Sequence, residues 1–306
     1  MEPWRKTPFV FFITLLPPGL WLALFFLLPL SLLWLFSFGH KSGITDIELK
    51  WTLANYARAL DPLYLGIVLR SLWIAGATTL ICLIIGLPVA LVISFAPSRI
   101  QPWLLLMIIL PFWTNLLIRT YALIAVLRGN GHVNSVLEWL WRIGDGFLGV
   151  AGLGDYDLLG AGFTPLQMLY NDGAVVTGLV YVHLPFMVLP LYAAFDRLDR
   201  SLIEASLDLG AGHVRTFFSI IAPLALPGIV SGVIITFIPA LGAYLTPDLL
   251  GGADSQMIAN IIERQFKAAN DWPFGSALSF LLMYATFFGL AMRGIFIRRG
   301  GEGGRG

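Results

Sequence analysis

Asp199-Arg200-Ser201-Leu202-Ile203-Glu204-Ala205-Ser206-Leu207-Asp208-Leu209-Gly210-Ala211-Gly212-His213-Val214-Arg215-Thr216-Phe217-Phe218-Ser219-Ile220-Ile221-Ala222-Pro223 is a mixed polar and apolar stretch set between two long apolar runs. Its spacing predicts a short helix, a glycine break and a second short helix that feeds an apolar span. Ser201 with Glu204 three residues on has capping-box spacing. Leu202, Ala205, Ser206 and Leu209 recur at i, i+3, i+4 and i+7, which gives the first helix one apolar or small-sided face. Gly210 and Gly212 suit its end and the turn after it. The expected product is an amphipathic elbow beside a membrane, with a stripe suited to a partner's groove.

Outward from the elbow, the chain is membrane protein. Of its 306 residues 58% are hydrophobic and 12% charged, with mean hydropathy +0.81. A water-facing globule carries about 25% charged residues, twice what is present here. A hydrocarbon core about 30 Å thick needs roughly 20 helical residues. Six stretches meet that length: Phe9–Phe38, Ile67–Phe95, Pro102–Leu127, Gly173–Phe195, Ile220–Leu241 and Phe274–Ile297. The predicted class is therefore all-α and polytopic, with about six transmembrane helices. The first run is much longer than the 7–15 apolar residues of a signal peptide and reads as a retained helix. A net charge of +1 gives no basis for nucleic-acid binding. The single cysteine, Cys82, cannot form an intrachain disulfide.

Arg5 and Lys6 open the first span, and Arg298 and Arg299 close the last. By the positive-inside rule, both termini are expected in the cytoplasm. Parity then places the loops near 40–66, 128–172 and 243–273 outside, where most of the 18 acidic residues fall. The fifth run carries Gly228, Gly232, Pro239 and Gly242. That composition suits either ordinary close packing or a helix that bends around Pro239 and lines a path.

The elbow resembles the EAA loop of ABC-importer permeases: Glu204, Ala205, Gly210, Ile220 and Pro223 stand at the family's spacing. Ser206 replaces the second alanine and Ala222 a leucine. Further short motifs are similar to the spermidine/putrescine permeases of the PotB type. They are Leu60-Asp61-Pro62-Leu63-Tyr64, Pro111-Phe112-Trp113-Thr114-Asn115, Arg119-Thr120-Tyr121, Leu184-Pro185-Phe186-Met187, Pro190-Leu191-Tyr192, Leu249-Leu250-Gly251-Gly252 and Asp271-Trp272-Pro273-Phe274-Gly275. The resemblance covers roughly Trp51 to Gly289. It implies a type I importer fold, with an N-terminal helix and outer loop (1–66), a five-helix core (67–297) holding the coupling loop 199–223, and a tail (298–306). It implies that Glu204, Ala205, Ser206, Gly210 and Ala211 couple to a cytoplasmic ATPase. It also implies a second homologous permease, two ATPase subunits and a periplasmic polyamine-binding protein, in a bacterial inner membrane.

A polyamine is a flexible polycation, so its path should offer carboxylates or carbonyls to the ammonium groups and aromatic faces to the stem. Each aromatic contact contributes about 0.5–2 kcal/mol. Trp113, Tyr121, Tyr244, Asp248, Glu263 and Trp272 are the candidates. Trp113, Tyr121 and Trp272 equally suit an aromatic belt at the lipid boundary. Asp248 and Asp271 equally suit helix caps. Arg119 would repel a cation and is expected to be structural, snorkelling outward or paired with an acid. His183 is expected to be a packed polar residue.

No phosphate-cradling G-x-x-x-x-G-K-[ST] loop occurs; the nearest fragment, Gly39-His40-Lys41-Ser42, lacks the pattern. No H-E-x-x-H or paired-cysteine metal motif is present either. The chain is thus expected to be no enzyme and to hold no cofactor or metal, with ATP and magnesium bound by the partner. Alternatives are a permease for another small solute (an opine, an amino-acid derivative or iron) or a self-sufficient secondary transporter. The latter should show an internal repeat or an intramembrane acidic relay.

Overall fold

The computed structural model describes residues 8–43, 46–150, 163–253 and 255–302. The chain divides into two compact units, residues 1–66 with 261–306, and residues 67–260. Residues 261–297, which the sequence reading grouped with the core, and the tail 298–306 both fall in the unit of the N-terminal segment.

In the first unit, α1 (Pro8–Leu22) continues through one wider π-type turn, Ala23–Leu27, into α2 (Leu28–Ser37). Phe12–Ser37 is apolar enough to cross a membrane and buries none of its most apolar window. A hairpin follows, β1 (Gly39–Lys41) paired antiparallel with β2 (Ile47–Leu49), His40 opposite Glu48. These two short strands depart from the all-α expectation without changing the class. Next comes α3 (Ala54–Ala59), where Asn55 Nδ2 donates to the carbonyls of Ser37 and Gly39 at 3.0 and 2.8 Å. The last helix, α14 (Trp272–Glu302), contains the expected sixth span and packs on α2 and α3. Trp34 Nε1 donates to the Tyr284 hydroxyl at 3.0 Å.

Asp271 caps α14, as its place before Trp-Pro predicts: its Oδ1 accepts from the Phe274 N–H at 3.2 Å. Its other oxygen pairs with Arg58 at 2.9 Å, and that guanidinium lies 3.9 Å from the centroid of the fully buried Phe274 ring.

The second unit begins within α4 (Pro62–Phe95), a single helix of 34 residues. The expected third span, Pro102–Leu127, is not one helix. It consists of α5 (Gln101–Ile109), a 3-10 turn Leu110–Trp113 and α6 (Leu116–Leu127), with a 93° bend between Gln101–Trp113 and Leu116–Asp145. The local chemistry accounts for the break. Pro111 has no N–H to continue the ladder. Thr114 is extended, and Asn115 caps the new helix by accepting from the Leu117 N–H at 2.8 Å.

The expected outer loop of 128–172 holds an amphipathic helix, α7 (His132–Val150). Asn134 fastens it reciprocally to Leu166, donating to its carbonyl at 3.0 Å and accepting from its N–H at 2.9 Å. Residues 151–162 of the glycine-rich segment lie outside the described residues.

α8 (Asp172–Phe195) and α11 (Ala222–Leu241) form the heart of this unit. Met187, Val188, Leu191 and Phe195 of α8 meet Ala225 of α11, Ile221 just before it, and Cys82, Ala90 and Ile93 of α4. Lipid offers no hydrophobic drive between helices, so close approach of small residues supplies the packing. Gly232 lies against Met187, whose sulfur would stand 2.9 Å from an added Cβ. A Cβ on Gly228 would meet that of Ala194. Pro239 lies in the last turn of α11, which runs on to Leu241 and stops at Gly242. The proline thus stands two residues before the helix end.

Two short elements close the unit, α12 (Leu245–Leu250) and the start of α13 (Ile258–Lys267). The Ile258 N–H donates to the buried Ser71 hydroxyl at 2.7 Å, and Asn260 Nδ2 to the Tyr244 carbonyl at the same distance. Among the described residues four helices are long and apolar enough to cross a membrane, or five where the bent pair is one span. Exposed side chains such as Trp21, Leu69, Trp73 and Val92 suit contact with lipid.

Candidate functional site

The elbow is built as its spacing predicts, with one change of cap. α9 (Arg200–Asp208) starts one residue before Ser201, and Asp199 is the N-cap, accepting from the Ser201 N–H at 3.0 Å. The expected capping box of Ser201 and Glu204 therefore does not form. Asp and Ser are equally good caps, and the aspartate two residues upstream is the one used. Hydrogen bonds from Ser201 hold the Asp199 carboxyl below the usual carboxylate range. A lowered folded-state pKa makes the cap's contribution complete above the unfolded value and lost as pH falls through the folded one. The cap is thus fully formed at neutral pH.

The helix ends in a Schellman motif. The Gly210 N–H donates to the Leu207 carbonyl at 2.9 Å and the Ala211 N–H to that of Ser206 at 3.1 Å. Gly210 has φ +82°, a conformation that costs a side-chain-bearing residue about 1–2 kcal/mol. Gly210→Ala is accordingly expected to loosen the elbow locally by that amount, read as faster amide exchange over 205–212 with unchanged exchange in α8. Equal exchange in both chains would contradict it.

Gly212 then leads into α10 (His213–Thr216), which runs through the π-type turn Phe217–Ile221 into α11, one continuous helix from His213 to Leu241. Movement of the elbow is therefore movement of the start of that membrane helix. The Ser206 and Thr216 hydroxyls meet at 3.0 Å and fasten α9 to α10.

Of the five residues proposed for coupling, Ala205, Ser206, Gly210 and Ala211 line one groove, and Glu204 is not among its lining. Ser206 is only 9% exposed and turns inward. Glu204, Ala205 and Gly210 are exposed, and Ala211 is half-buried. Leu209 is 89% exposed, an apolar side chain standing in the open. That groove, open and of about 410 Å³, is completed by Leu202, Leu209, Arg215 and Ile220. On the other flank of α9, Leu202, Arg197, Asp199 and the facing turns of α8 and α11 line a second, of about 550 Å³. Among the described residues Glu204 makes no hydrogen bond or ion pair.

The six path candidates are divided between the two units. Trp113 (74% exposed) and Tyr121 flank the break in the third span. Tyr244 precedes α12 as its N-cap and Asp248 lies within it, the Asp248 N–H donating to the Tyr244 carbonyl at 3.0 Å. Glu263 is already paired with Lys267 at 2.9 Å. Trp272 is held by Asn270, its Nε1 donating at 2.9 Å, and by an edge contact with Phe266. Glu263 and Trp272 belong to the first unit and the other four to the second.

Arg119 is only 8% exposed, and among the described residues it pairs with no carboxylate. It therefore neither snorkels nor finds an acid. The break places it in the first turn of α6, where its guanidinium lies 5.7 Å from the Phe112 centroid. His183 is packed as expected, with Nδ1 2.8 Å from the Leu179 carbonyl one turn back. The sequence reading missed Asp199, Thr216 and Arg200. Arg200 Nη2 donates to the Ser94 carbonyl at 3.1 Å, across a separation of 106 residues that no local pattern reveals.

The family model described as "Binding-protein-dependent transport system inner membrane component" matches residues 7–299. The chain is 42% identical over 262 residues to the spermidine/putrescine transport system permease protein PotB of Salmonella typhimurium (strain SL1344), covering 86% of this chain and 85% of that protein. Identity to the protein of the same description from Escherichia coli (strain K12) is 41%, covering 86% and 88%. Among solved structures, a bacterial ABC transporter involved in the import of the acidic polysaccharide alginate superposes with a TM-score of 0.73, covering 97% of this chain and 98% of that one at 15% identity. At that identity the likeness is one of fold.

Proposed function

The chain belongs to the family of binding-protein-dependent transport system inner membrane components, and within it we propose that it is the permease through which an ABC importer passes spermidine or putrescine. The observation that carries this reading is 41–42% identity, along 86% of the chain, to permeases of spermidine/putrescine transport systems. As a permease subunit the chain is a transport component and no enzyme.

The proposed complex contains a second homologous permease, two ATPase subunits that bind ATP and magnesium, and a periplasmic polyamine-binding protein. Both termini and the elbow lie in the cytoplasm, as the flanking arginines and lysine suggest. The elbow seats on the ATPase: the groove beside α9 offers area, the exposed Leu209 an anchor, and Glu204 a carboxylate with no partner among the described residues. Because His213–Leu241 is one helix, seating moves a membrane-spanning element directly. Trp113, Tyr121, Tyr244, Asp248, Glu263 and Trp272 remain the proposed substrate contacts.

Cysteines introduced at Ala205 or Ala211 test the assignment in the assembled complex. They are expected to crosslink to the ATPase and to react only with reagents on the cytoplasmic side. Labelling from the periplasm would invert the topology and remove the coupling role.

A further inference from the structure

We propose that Arg200 is a positioning residue, tying the elbow to the turn between α4 and α5 so that elbow movement reaches the broken third span as well as α11. The proposal rests on the reading that α9 seats on the ATPase, and it adds a second route for that movement.

Arg200 is the first residue of α9, and its partner is neither a carboxylate nor a residue of the elbow. Its Nη2 donates to the carbonyl of Ser94, in the last turn of α4, while its guanidinium carbon lies 5.4 Å from the Phe95 ring centroid. Carbonyls of a last helical turn have no partner inside the helix and must find one elsewhere. Gln101, the first residue of α5, finds the same oxygen: its Nε2 donates to Ser94 at 3.1 Å and to Ala96 at 3.2 Å. One buried carbonyl thus joins the end of α4, the start of α5 and the start of α9.

The chain leaving this junction is α5, which runs to the 93° break. A charge-assisted bond to a neutral carbonyl, with a ring behind it, holds direction without burying a salt bridge. A lysine could reach the oxygen but could not also lay a flat guanidinium over Phe95.

The test uses the full complex in vesicles, with spin labels on Ser98→Cys, in the α4–α5 turn, and Asp208→Cys, at the end of α9; both positions are exposed. In the parent the two labels should keep one separation in the nucleotide-free and ATP-bound states. In Arg200→Ala the separation should differ between those states. Solute moved per ATP hydrolysed should then fall about fivefold or more, with the Ala205→Cys crosslink to the ATPase retained. Arg200→Lys should recover part of that ratio. A parental ratio and constant separation in Arg200→Ala would overturn the proposal, as would loss of the crosslink, which would reduce Arg200 to holding the elbow's fold. Absence of the crosslink in the parent chain would defeat the seating of the elbow itself, and the tie with it.

Discussion

Gly228→Val is expected to leave little folded protein in the membrane, at least tenfold less extractable, monodisperse material than the parent. α8 and α11 share the most extensive helix contact among the described residues. At Gly228 any Cβ meets the Ala194 Cβ, with the Pro190 carbonyl 3.0 Å away. Overpacking a tight site costs about 1–3 kcal/mol for each modest insertion. Valine adds three carbons where one already has no room. Parting the helices would also undo the Gly232–Met187 contact one turn on. Gly76→Val is the control, because nothing lies within 4 Å of a Cβ there. If Gly228→Val matched the parent and the control in yield and thermal stability, the packing account would fail.

Glu204→Ala is expected to lower uptake by about tenfold, with folding and solute capture by the binding protein unchanged. Asp199 does the capping, and Glu204 is exposed with no partner among the described residues, so its removal costs the isolated chain little. A charged hydrogen bond made only in the complex is worth about 1.5–3 kcal/mol, enough for a tenfold effect. Glu204→Asp, shorter by one carbon, should fall between the two. Full transport by a stably expressed Glu204→Ala chain would leave the carboxylate with no coupling role.

Much of the elbow was legible because its determinants are local. A glycine where φ must be positive, small residues at i and i+3, and an apolar run after a second glycine act within one or two turns. The exact cap was not, since Asp199 and Ser201 are both competent and only the start of the helix chooses between them. The break in the third span hid inside an unbroken apolar composition. Its marks were Pro111 and the capping amide of Asn115, which hydropathy averages away. The pairing of α14 with α2, and of Arg200 with Ser94, joins residues far apart in sequence, beyond any periodic pattern. The path residues were read from chemistry alone, and aromatic and acidic side chains near a membrane surface also pack on rings and form ion pairs within a helix, as Trp272 and Glu263 do here.

Uptake into vesicles containing the complete complex tests the central claim most directly. Labelled spermidine should enter only with ATP and the binding protein, saturate, and be competed by putrescine but not by an opine or an amino acid. Uptake of an anionic solute that no polyamine competes would contradict the substrate while leaving the chain a permease.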